Sequence, residues 1–396
     1  MLRGKNIVLA VTGSIAAYKI AGLASMLKKL NANITVLMTE NATNFINPIT
    51  FETLTGNKCL IDTFDRNFQY SVEHVALAKL ADAVMIAPAS ANVIGKIANG
   101  IADDMLTTTV MACNCRKIVA PAMNTQMYQN PIVQDNLMKL KRFGYEVITP
   151  TTGMLACGDV GVGKMPSEEE LLQYILRECA CEKNMIGMNV LVTAGPTMEK
   201  IDPVRFISNH SSGKMGYALA RNCMLRGANV TLITGKTSLE PPMFVNVVPV
   251  VSAQDMYEAV MEHFEGQDII IKAAAVADYR PKYPAEQKVK KKEGELSIPL
   301  ERTTDILKTL GEKKKKQFLC GFSMETENMV ENSREKLLKK NLDMVVANNV
   351  KTRGAGFGTD TNIVTIITAT DTEELEIMSK DDVASIIVDH ILKKIK

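Results

Sequence analysis

Short apolar runs alternate with amphipathic segments along the first half of this chain. The runs "NIVLAV" (6–11) and "NITVLM" (33–38) are almost continuously apolar, which is typical of strands buried on both faces of a parallel sheet. Between them, "IAAYKIAGLASMLKKL" (15–30) repeats apolar residues at helical spacing. This pattern predicts a βαβ unit, and "DAVMIAPA", "KIVAPA" and "YEVITP" continue it as further strands.

The first half ends with a helix and a polar stretch. In "SEEELLQYILREC" (167–179), Ser167 and Glu170 have the spacing of a capping box, and the apolar residues recur on one helical face. The polar "CEKNMIG" follows, and "MNVLVTAGPT" then begins a new strand that ends on glycine. We therefore predict a domain boundary at about Gly187, with domains 1–187 and 188–396.

The second half repeats the alternation. Predicted strands are "ANVTLITG", "DIIIKAAAVAD", "QFLCGFSME" and "DMVVANN", and predicted helices are "GYALARNCMLRG", "SAQDMYEAVMEHF" and "NSREKLLKKN". A hairpin of "NIVTIITAT" with "EELEIM" and a last helix capped by Ser379 and Asp382 complete it. The fold class is α/β, with two tandem doubly wound domains and no short-period repeat.

Length and charge limit the number of domains and the classes of function that this chain can have. At 396 residues the chain is long enough for two domains that each bury a core. Its 46 Lys and Arg nearly balance 44 Asp and Glu, which argues against nucleic-acid binding, and "EKKKK" (312–316) fits a solvated helix end. We find no secretion signal and no run of the roughly 18 apolar residues that a membrane span needs, so we expect a cytoplasmic protein.

Eight cysteines occur without the paired C-x-x-C spacing of zinc ribbons or redox pairs, as in "CNC" and "CAC". Most are expected to be reduced and to act as small apolar side chains. Cys157 in "LACGD" is the candidate for chemistry.

Loops after parallel strands carry the other candidates, because ligands bind beyond the carboxyl ends of such strands. In "TGSIAAYK", Gly13 and Ser14 stand at a helix start that suits a mononucleotide phosphate, although a plain strand-to-helix turn is the alternative. Ser90 and the threonines 107–109 add uncharged donors. "GDVGVGKM" (158–165) matches G-x-x-x-x-G-K, but Met165 replaces the Mg²⁺-binding hydroxyl, so we interpret it as a glycine-rich flap and not a P-loop.

Asn124 is unusual because "PAMNTQMY" (121–128) sets an amide between two methionines at a strand end. His74 in "SVEHVALAK" is also a candidate, although spacing alone favours a solvent-facing histidine at a helix start. These segments, together with "GSIAAYK", "EHVALAKLADAVMIAPASAN" and "LACGDVGVGKM", resemble the flavin-dependent cysteine decarboxylases, which have a flavodoxin-like fold. One departure is Tyr128, where the family pattern P-x-M-N-x-x-M-W has Trp.

That resemblance implies an FMN cofactor and a 4′-phosphopantothenoylcysteine substrate. In the family, FMN oxidises the cysteinyl thiol, so that the electrons left by departing CO₂ delocalise onto sulfur. His74 would be the base, Asn124 would bind the substrate carboxylate between Met123 and Met127, and Cys157 would donate the final proton from a flap over residues 153–163. By motif position, the resemblance also implies FMN contacts from Gly13, Ser14, Thr39, Ser90, Thr107, Thr108 and Thr109.

The second half, with "TAGPTMEKIDPVRFISNHSSGKMG" and "KAAAVADYRP", resembles phosphopantothenate–cysteine ligase, whose fold is Rossmann-like. With the decarboxylase motifs first and the ligase motifs second, the whole chain resembles the bifunctional enzymes of coenzyme A biosynthesis. The implied reaction activates 4′-phosphopantothenate with CTP and Mg²⁺ or Mn²⁺, and cysteine then captures the acyl-cytidylate. Lys288 matches the lysine required for this chemistry, although a solvated lysine is the alternative from the sequence alone.

The ligase motifs also imply binding residues. Those for CTP are Ala273, Ala274, Ala275, Asp278, Lys288, Thr304, Asp305, Ile306, Leu307, Phe322, Lys336 and Lys340. "TTDIL" carries Thr304 where the family has proline, which bears on Thr304 more than on Asp305. Arg205 and Asn209 match positions that hold phosphopantothenate or its acyl-cytidylate.

The expected partners are these small molecules, with no nucleic acid and no membrane. The resemblance implies a homo-oligomer, a dodecamer of trimeric and dimeric contacts in the family. Two rival interpretations are a non-catalytic regulatory flavoprotein and a pyridine-nucleotide oxidoreductase. Retention of His74, Asn124 and Cys157 argues against the first, and the incomplete glycine fingerprint "TAGPT" argues against the second.

Overall fold

The structure is a computed structural model that describes residues 1–64, 73–154, 158, 160–290, 296–325, 328–349 and 358–395. It divides into two compact units, Met1–Glu182 and Lys183–Lys396. The boundary predicted at Gly187 lies between the last helix of the first unit and the first strand of the second. In the described part of the chain, no helix has the length and apolar character needed to cross a membrane.

The first unit has the alternation that the sequence predicts. Its elements are β1 (Asn6–Val11), α1 (Ala17–Lys29), β2 (Asn33–Met38), a 3₁₀ helix (Glu40–Asn44), α2 (Pro48–Thr55), α3 (Glu73–Leu80), β3 (Ala83–Ala89), α4 (Ala91–Ala98), α5 (Met105–Ala112), β4 (Arg116–Pro121), α6 (Thr125–Gln129), α7 (Pro131–Arg142), β5 (Glu146–Val147), β6 (Thr151–Met154), β7 (Val160–Lys164) and α8 (Glu168–Cys179).

Five parallel strands form the first sheet in the order β2-β1-β3-β4-β5. This is the flavodoxin-like order, and it confirms the predicted fold class. Every residue of β3 is buried, because helices cover both faces of a doubly wound sheet. Ile86, Leu106 and Leu137 belong to the core on one face, where α4, α5 and α7 pack.

The end of this unit differs from the simple alternation. The predicted strand "YEVITP" shortens to the two residues of β5. The predicted flap contains an antiparallel hairpin, in which β6 pairs with β7. The Ser167 hydroxyl accepts the N–H of Glu170 at 3.2 Å at the start of α8, as half of the expected capping box.

The second unit is a longer alternation with several very short strands. Its elements are β8 (Asn189–Ala194), β9 (Met198–Lys200), β10 (Phe206–Ser208), α9 (Lys214–Leu225), β11 (Asn229–Thr234), β12 (Asn246–Pro249), α10 (Ala253–His263), β13 (Ile269–Lys272), β14 (Tyr279–Pro281), β15 (Leu300–Arg302), α11 (Ile306–Lys313), β16 (Phe318–Glu325), α12 (Met329–Lys339), β17 (Met344–Asn349), β18 (Thr361–Asn362), β19 (Val364–Ile367), β20 (Thr372–Glu374), β21 (Met378–Ser379) and α13 (Lys380–Ile395).

Eight strands form the second sheet in the order β12-β11-β8-β13-β16-β17-β19-β20. The first six are parallel and follow the 3-2-1-4-5-6 order of a Rossmann fold, and β19 and β20 extend the sheet as the predicted antiparallel hairpin. The strand order reverses between β8 and β13, which is where such sheets bind ligands.

The predicted strand "DIIIKAAAVAD" is also shorter than expected. It leaves the sheet at Lys272, and the amides that follow bond to the end of β8 and to the loop after it. The N–H of Ala274 donates to Thr193 Oγ1 at 3.2 Å, and that of Ala275 donates to Gly195 O at 3.0 Å. The three alanines therefore line the switch point instead of extending the core.

Candidate active sites

Four loops meet at the carboxyl edge of the first sheet. Gly13 and Ser14 follow β1, Thr39 follows β2, Ser90 follows β3, and Asn124 follows β4. Thr39 and Ser90 each cap the helix that comes next. The parallel order brings these sequence-predicted residues to one edge.

The buried Thr12 joins two of these loops. Its hydroxyl donates to Pro88 O at 2.6 Å and accepts the N–H of Ser90 at 2.9 Å. Thr12 has no solvent exposure; its bond to Pro88 O is buried, and its bond from Ser90 is partly buried. They fix the loop after β1 against the loop after β3.

A cavity of about 620 Å³ opens beside the start of α1. Ser14 and Lys19 line one side, and Met123, Asn124 and Gly163 line another. The N-terminus of a helix and a lysine together favour an anion. The site thus combines a place for a phosphate with an apolar wall, which fits a flavin mononucleotide.

Asn124 caps α6 and lines this cavity. Its Oδ1 accepts the N–H of Gln126 at 2.8 Å. Met123 lines the cavity as expected. Met127 is not among the described residues that line the cavity, and its side chain is 50% exposed.

The hairpin of β6 and β7 packs tightly on the Asn124 loop. Met123 donates its N–H to Gly163 O at 3.1 Å. Gly163 has a φ of +141°, and a Cβ there would lie 2.2 Å from Met123 O, so only glycine allows this approach. The second strand of the predicted flap is therefore held against the site, and Cys157 lies outside the described residues.

The remaining predicted residues of this unit are in different surroundings. His74 is half-buried in the first turn of α3 and is not among the described residues that line the cavity. Thr107 and Thr109 are fully buried, and their hydroxyls donate to Asp104 Oδ1 at 2.8 Å and Met105 O at 2.7 Å. Thr108 is half-buried and is the most accessible of the three.

The second unit has two adjoining cavities at its switch point, of about 390 and 160 Å³. Asp278, Phe322 and Lys336 line both. Ala273, Ala275 and Asn209 line the larger one. The smaller one adds four consecutive predicted residues and a lysine: Thr304, Asp305, Ile306, Leu307 and Lys340. Residues that are far apart in the sequence thus converge on one place.

Lysines surround the smaller cavity. Lys340 pairs with Asp305 at 2.7 Å, and Lys336 donates to Phe322 O at 2.8 Å. Lys272, at the end of β13, is only 8% exposed, and burial lowers its pKa to about 8. This concentration of ammonium groups suits a polyphosphate.

Sequence reasoning missed Lys272 and Lys380. Lys272 interrupts the apolar run "IIIK" at the strand end, which was a usable signal. Lys380 is 7% exposed at the start of α13 and lines the larger cavity. Its position after the β18–β21 pair gave no local indication.

Two predicted ligase residues lie elsewhere. Lys288 is exposed and is not among the described residues lining either cavity. Arg205 bonds to the carboxylate of Asp202 through Nε at 3.0 Å and also through Nη2, so its guanidinium already has an internal partner. Asn209 does lie at the cavity, where its Nδ2 donates to Ala275 O at 3.1 Å.

The described residues contain no group of three or more His, Cys, Asp or Glu side chains placed to hold a metal. Asp278 and Asp305 are nevertheless carboxylates of the smaller cavity. One or two carboxylates together with phosphate oxygens are a usual set of Mg²⁺ ligands. The residues present therefore fit a metal that arrives with a nucleotide.

Family models match both units. The flavoprotein model covers residues 1–180, and the model of the DNA/pantothenate metabolism flavoprotein C-terminal domain covers residues 185–395. Fold, sites and matches define a two-domain flavoprotein of pantothenate metabolism.

Full-length relatives give the particular family. The coenzyme A biosynthesis bifunctional protein CoaBC of Bacillus subtilis (strain 168) is 48% identical over 395 residues, which are 99% of this chain and 97% of that protein. The protein of the same name from Haemophilus influenzae is 43% identical over 394 residues, which are 99% of this chain and 98% of that protein. The chain belongs to this family of bifunctional coenzyme A biosynthesis enzymes, which confirms the resemblance of its motifs.

Solved structures are similar to each half. The crystal structure of the C-terminal domain of a CoaBC protein is 48% identical, covers 52% of this chain and 95% of its own, and has a TM-score of 0.45. A PPC decarboxylase mutant complexed with pantothenoylaminoethenethiol is 30% identical, covers 44% of this chain and 97% of its own, and has a TM-score of 0.40.

Proposed function

We propose that the second unit joins 4′-phosphopantothenate to cysteine with CTP, and that the first unit decarboxylates the product to 4′-phosphopantetheine with FMN. The convergence of the predicted CTP residues on two adjoining cavities is the observation that carries this proposal. The product of the ligase reaction is the substrate of the decarboxylase reaction, so ligation comes first.

In the first unit, the FMN phosphate would bind at the start of α1, near Ser14 and Lys19. The other proposed FMN residues are Gly13, Thr39, Ser90 and the threonines 107–109, of which Thr108 is the most accessible. When bound, FMN would take two electrons from the substrate thiol, so that the electron pair left by the departing CO₂ delocalises onto sulfur, and it would return two electrons to give the saturated product.

The side chains of the first unit orient the substrate and move protons. Asn124 would donate its amide N–H to the substrate carboxylate, beside the apolar surface of Met123. An amide avoids the strong ion pair that would stabilise the carboxylate before it leaves as CO₂. His74 would be the base, and Cys157 would donate the proton that completes the product.

In the second unit, the substrate carboxylate would attack the α-phosphorus of CTP, and pyrophosphate would leave. The cysteine amine then displaces cytidylate from the acyl-cytidylate. Lys336 and Lys340 would neutralise the phosphates, and Lys288 would reach the reacting groups from its loop. Asp278 or Asp305 would hold Mg²⁺ or Mn²⁺, which would neutralise negative charge on the triphosphate, and Asn209 would hold the acyl-cytidylate.

Two assays test the proposal. Purified protein should be yellow with a flavin spectrum, and a mixture of phosphopantothenate, cysteine and CTP should release pyrophosphate and give 4′-phosphopantetheine. Omission of CTP should stop the first reaction and leave decarboxylation of supplied 4′-phosphopantothenoylcysteine unchanged. A colourless protein that takes up no FMN, or product formation without CTP, would contradict it.

We also propose a homo-oligomer, with the family's dodecamer of trimeric and dimeric contacts as the specific form, and a cytoplasmic location. Family membership supports these two statements. Size-exclusion chromatography with light scattering tests the assembly.

A further inference from the structure

Asp202 is a buried carboxylate in the connection between β9 and β10. Its side chain has no solvent exposure. Its Oδ1 accepts the backbone N–H groups of Val204 and Arg205, both at 2.8 Å. These two bonds close the turn, and the arginine guanidinium lies against the other carboxylate oxygen.

The same ion pair also holds a segment far along the chain. The N–H of Val289 donates to Asp202 Oδ2 at 3.1 Å, and Arg205 Nη2 donates to Val289 O at 2.9 Å. Four residues earlier, the N–H of Ala285 donates to Ile201 O at 2.9 Å. The segment 285–289 is therefore fastened to the β9–β10 connection at two points.

The turn at Asp202 does not by itself require the contacts with Val289, which is far away in the sequence. A neutral oxygen at position 202 would satisfy the N–H groups of Val204 and Arg205, as in turns formed by serine. A buried carboxylate carries a desolvation cost that an ordinary turn avoids. The hydrogen bond from Arg205 and those from backbone N–H groups hold the pKa of Asp202 well below its usual range, so the group is charged at neutral pH.

The residue next to this fastening is Lys288. We propose that Asp202 and Arg205 form a clamp that positions the Lys288 loop for ligation, with Asp202 as a positioning residue. The inference rests on the proposed role of Lys288. Because Asp202 and Arg205 bond to both the N–H and the C=O of Val289, they fix the direction of the backbone next to Lys288. Small displacements of a reacting group have large effects on rate.

The test compares Asp202→Asn with Glu301→Gln in the full chain. Glu301 accepts Arg280 Nε at 2.8 Å across β14 and β15, so the control makes the same change opposite another arginine, at a partly exposed pair away from Val289. We expect Asp202→Asn to lower kcat of CTP-dependent ligation at least tenfold, with KM for CTP changed less than threefold. Amide exchange across 285–290 should become faster, and Glu301→Gln should stay within twofold of wild type.

A second variant separates positioning from folding. Asp202→Ser keeps an oxygen for the turn but cannot reach Val289, and it should show the same loss of kcat while strand β8 stays protected from exchange. Either variant, if folded and within twofold of the wild-type kcat, would overturn the clamp. Loss of β8 protection in both variants would also overturn it, since Asp202 would then stabilise the whole unit.

The failure of the proposed function has a different signature. If Lys288→Ala ligates at the wild-type rate, the role of Lys288 is wrong whatever Asp202 does. If Lys288→Ala is inactive and Asp202→Asn is fully active, Lys288 keeps its role and the clamp is refuted.

Discussion

Replacing Lys272 with methionine should make the protein more stable and less able to use CTP. The pKa of this lysine falls from 10.5 to about 8, and burial is the main cause. Each pKa unit corresponds to about 1.4 kcal/mol, so the charged lysine costs the folded protein about 3 kcal/mol at neutral pH. Methionine is also unbranched and leaves no charge to desolvate. We therefore expect Lys272→Met to raise the free energy of unfolding at pH 7.

The pH dependence has a defined sign. Between pH 8 and 10.5 the unfolded chain binds more protons than the folded one, so wild-type stability should rise with pH across that window. The variant lacks the titrating group and should not show this rise. The stability gain of Lys272→Met should therefore be largest at neutral pH and disappear by about pH 10.5.

The loss of CTP binding follows from the same charge. About nine-tenths of Lys272 is protonated at pH 7 and about one-tenth at pH 9 if its pKa is 8. A charged hydrogen bond to phosphate contributes roughly 1.5–3 kcal/mol, which is about 10- to 100-fold in KM for CTP. Wild-type KM should rise between pH 7 and 9, whereas the variant should have a high KM with little pH dependence.

Two measurements decide the matter. Stability is measured by urea unfolding and by hydrogen exchange of the β13 amides. CTP use is measured by pyrophosphate release. Lys308→Met is the matched control, because Lys308 is 62% exposed on α11 and should change neither quantity appreciably. A destabilised Lys272→Met variant, or one with the wild-type KM for CTP at pH 7, would refute this reasoning.

The remaining predictions concern Lys288, Cys157 and Gly163. Lys288→Ala should block amide formation and spare decarboxylation of supplied substrate, with Lys282→Ala in the same loop as an active control; equal loss of both activities would indicate misfolding instead. Cys157→Ser should keep its flavin and accumulate the oxidised enethiol, and normal reduced product at the wild-type rate, seen by mass spectrometry, would refute the role. Gly163→Ala should slow decarboxylation at least tenfold, because its Cβ would meet Met123 O at 2.2 Å, while ligation stays normal; an unchanged decarboxylation rate would show that the hairpin need not approach so closely.

The fold was predictable because buried parallel strands have a simple local signature. "NIVLAV" and "NITVLM" coincide with β1 and β2, and the helix between them begins and ends within two residues of the predicted range. The pairs β9–β10, β14–β15 and β18–β21 were not predicted, because strands of two or three residues are too short to show a period of two. "YEVITP" and "DIIIKAAAVAD" were predicted too long for a related reason. Apolar composition does not show where the backbone stops pairing with the adjacent strand.

The sites were predictable in part. Motifs identified the segments that line the ligase cavities, but their convergence depends on strand order, which local sequence does not contain. Arg205 matched a ligand-binding position, yet the structure gives it a partner three residues earlier, in Asp202. Lys272 was missed because the sequence does not show whether a lysine at the end of an apolar run is buried or points to solvent.

The hydroxyl of Thr12 has a consequence for how the first unit would receive its cofactor. One hydroxyl joins two loops, so separating them would leave the buried Pro88 carbonyl without this donor, at a cost of about 1–3 kcal/mol. The packing of these two loops against each other is therefore built in advance, and cofactor binding need not organise it. Uptake should then be limited by access to the cavity more than by rearrangement of these loops.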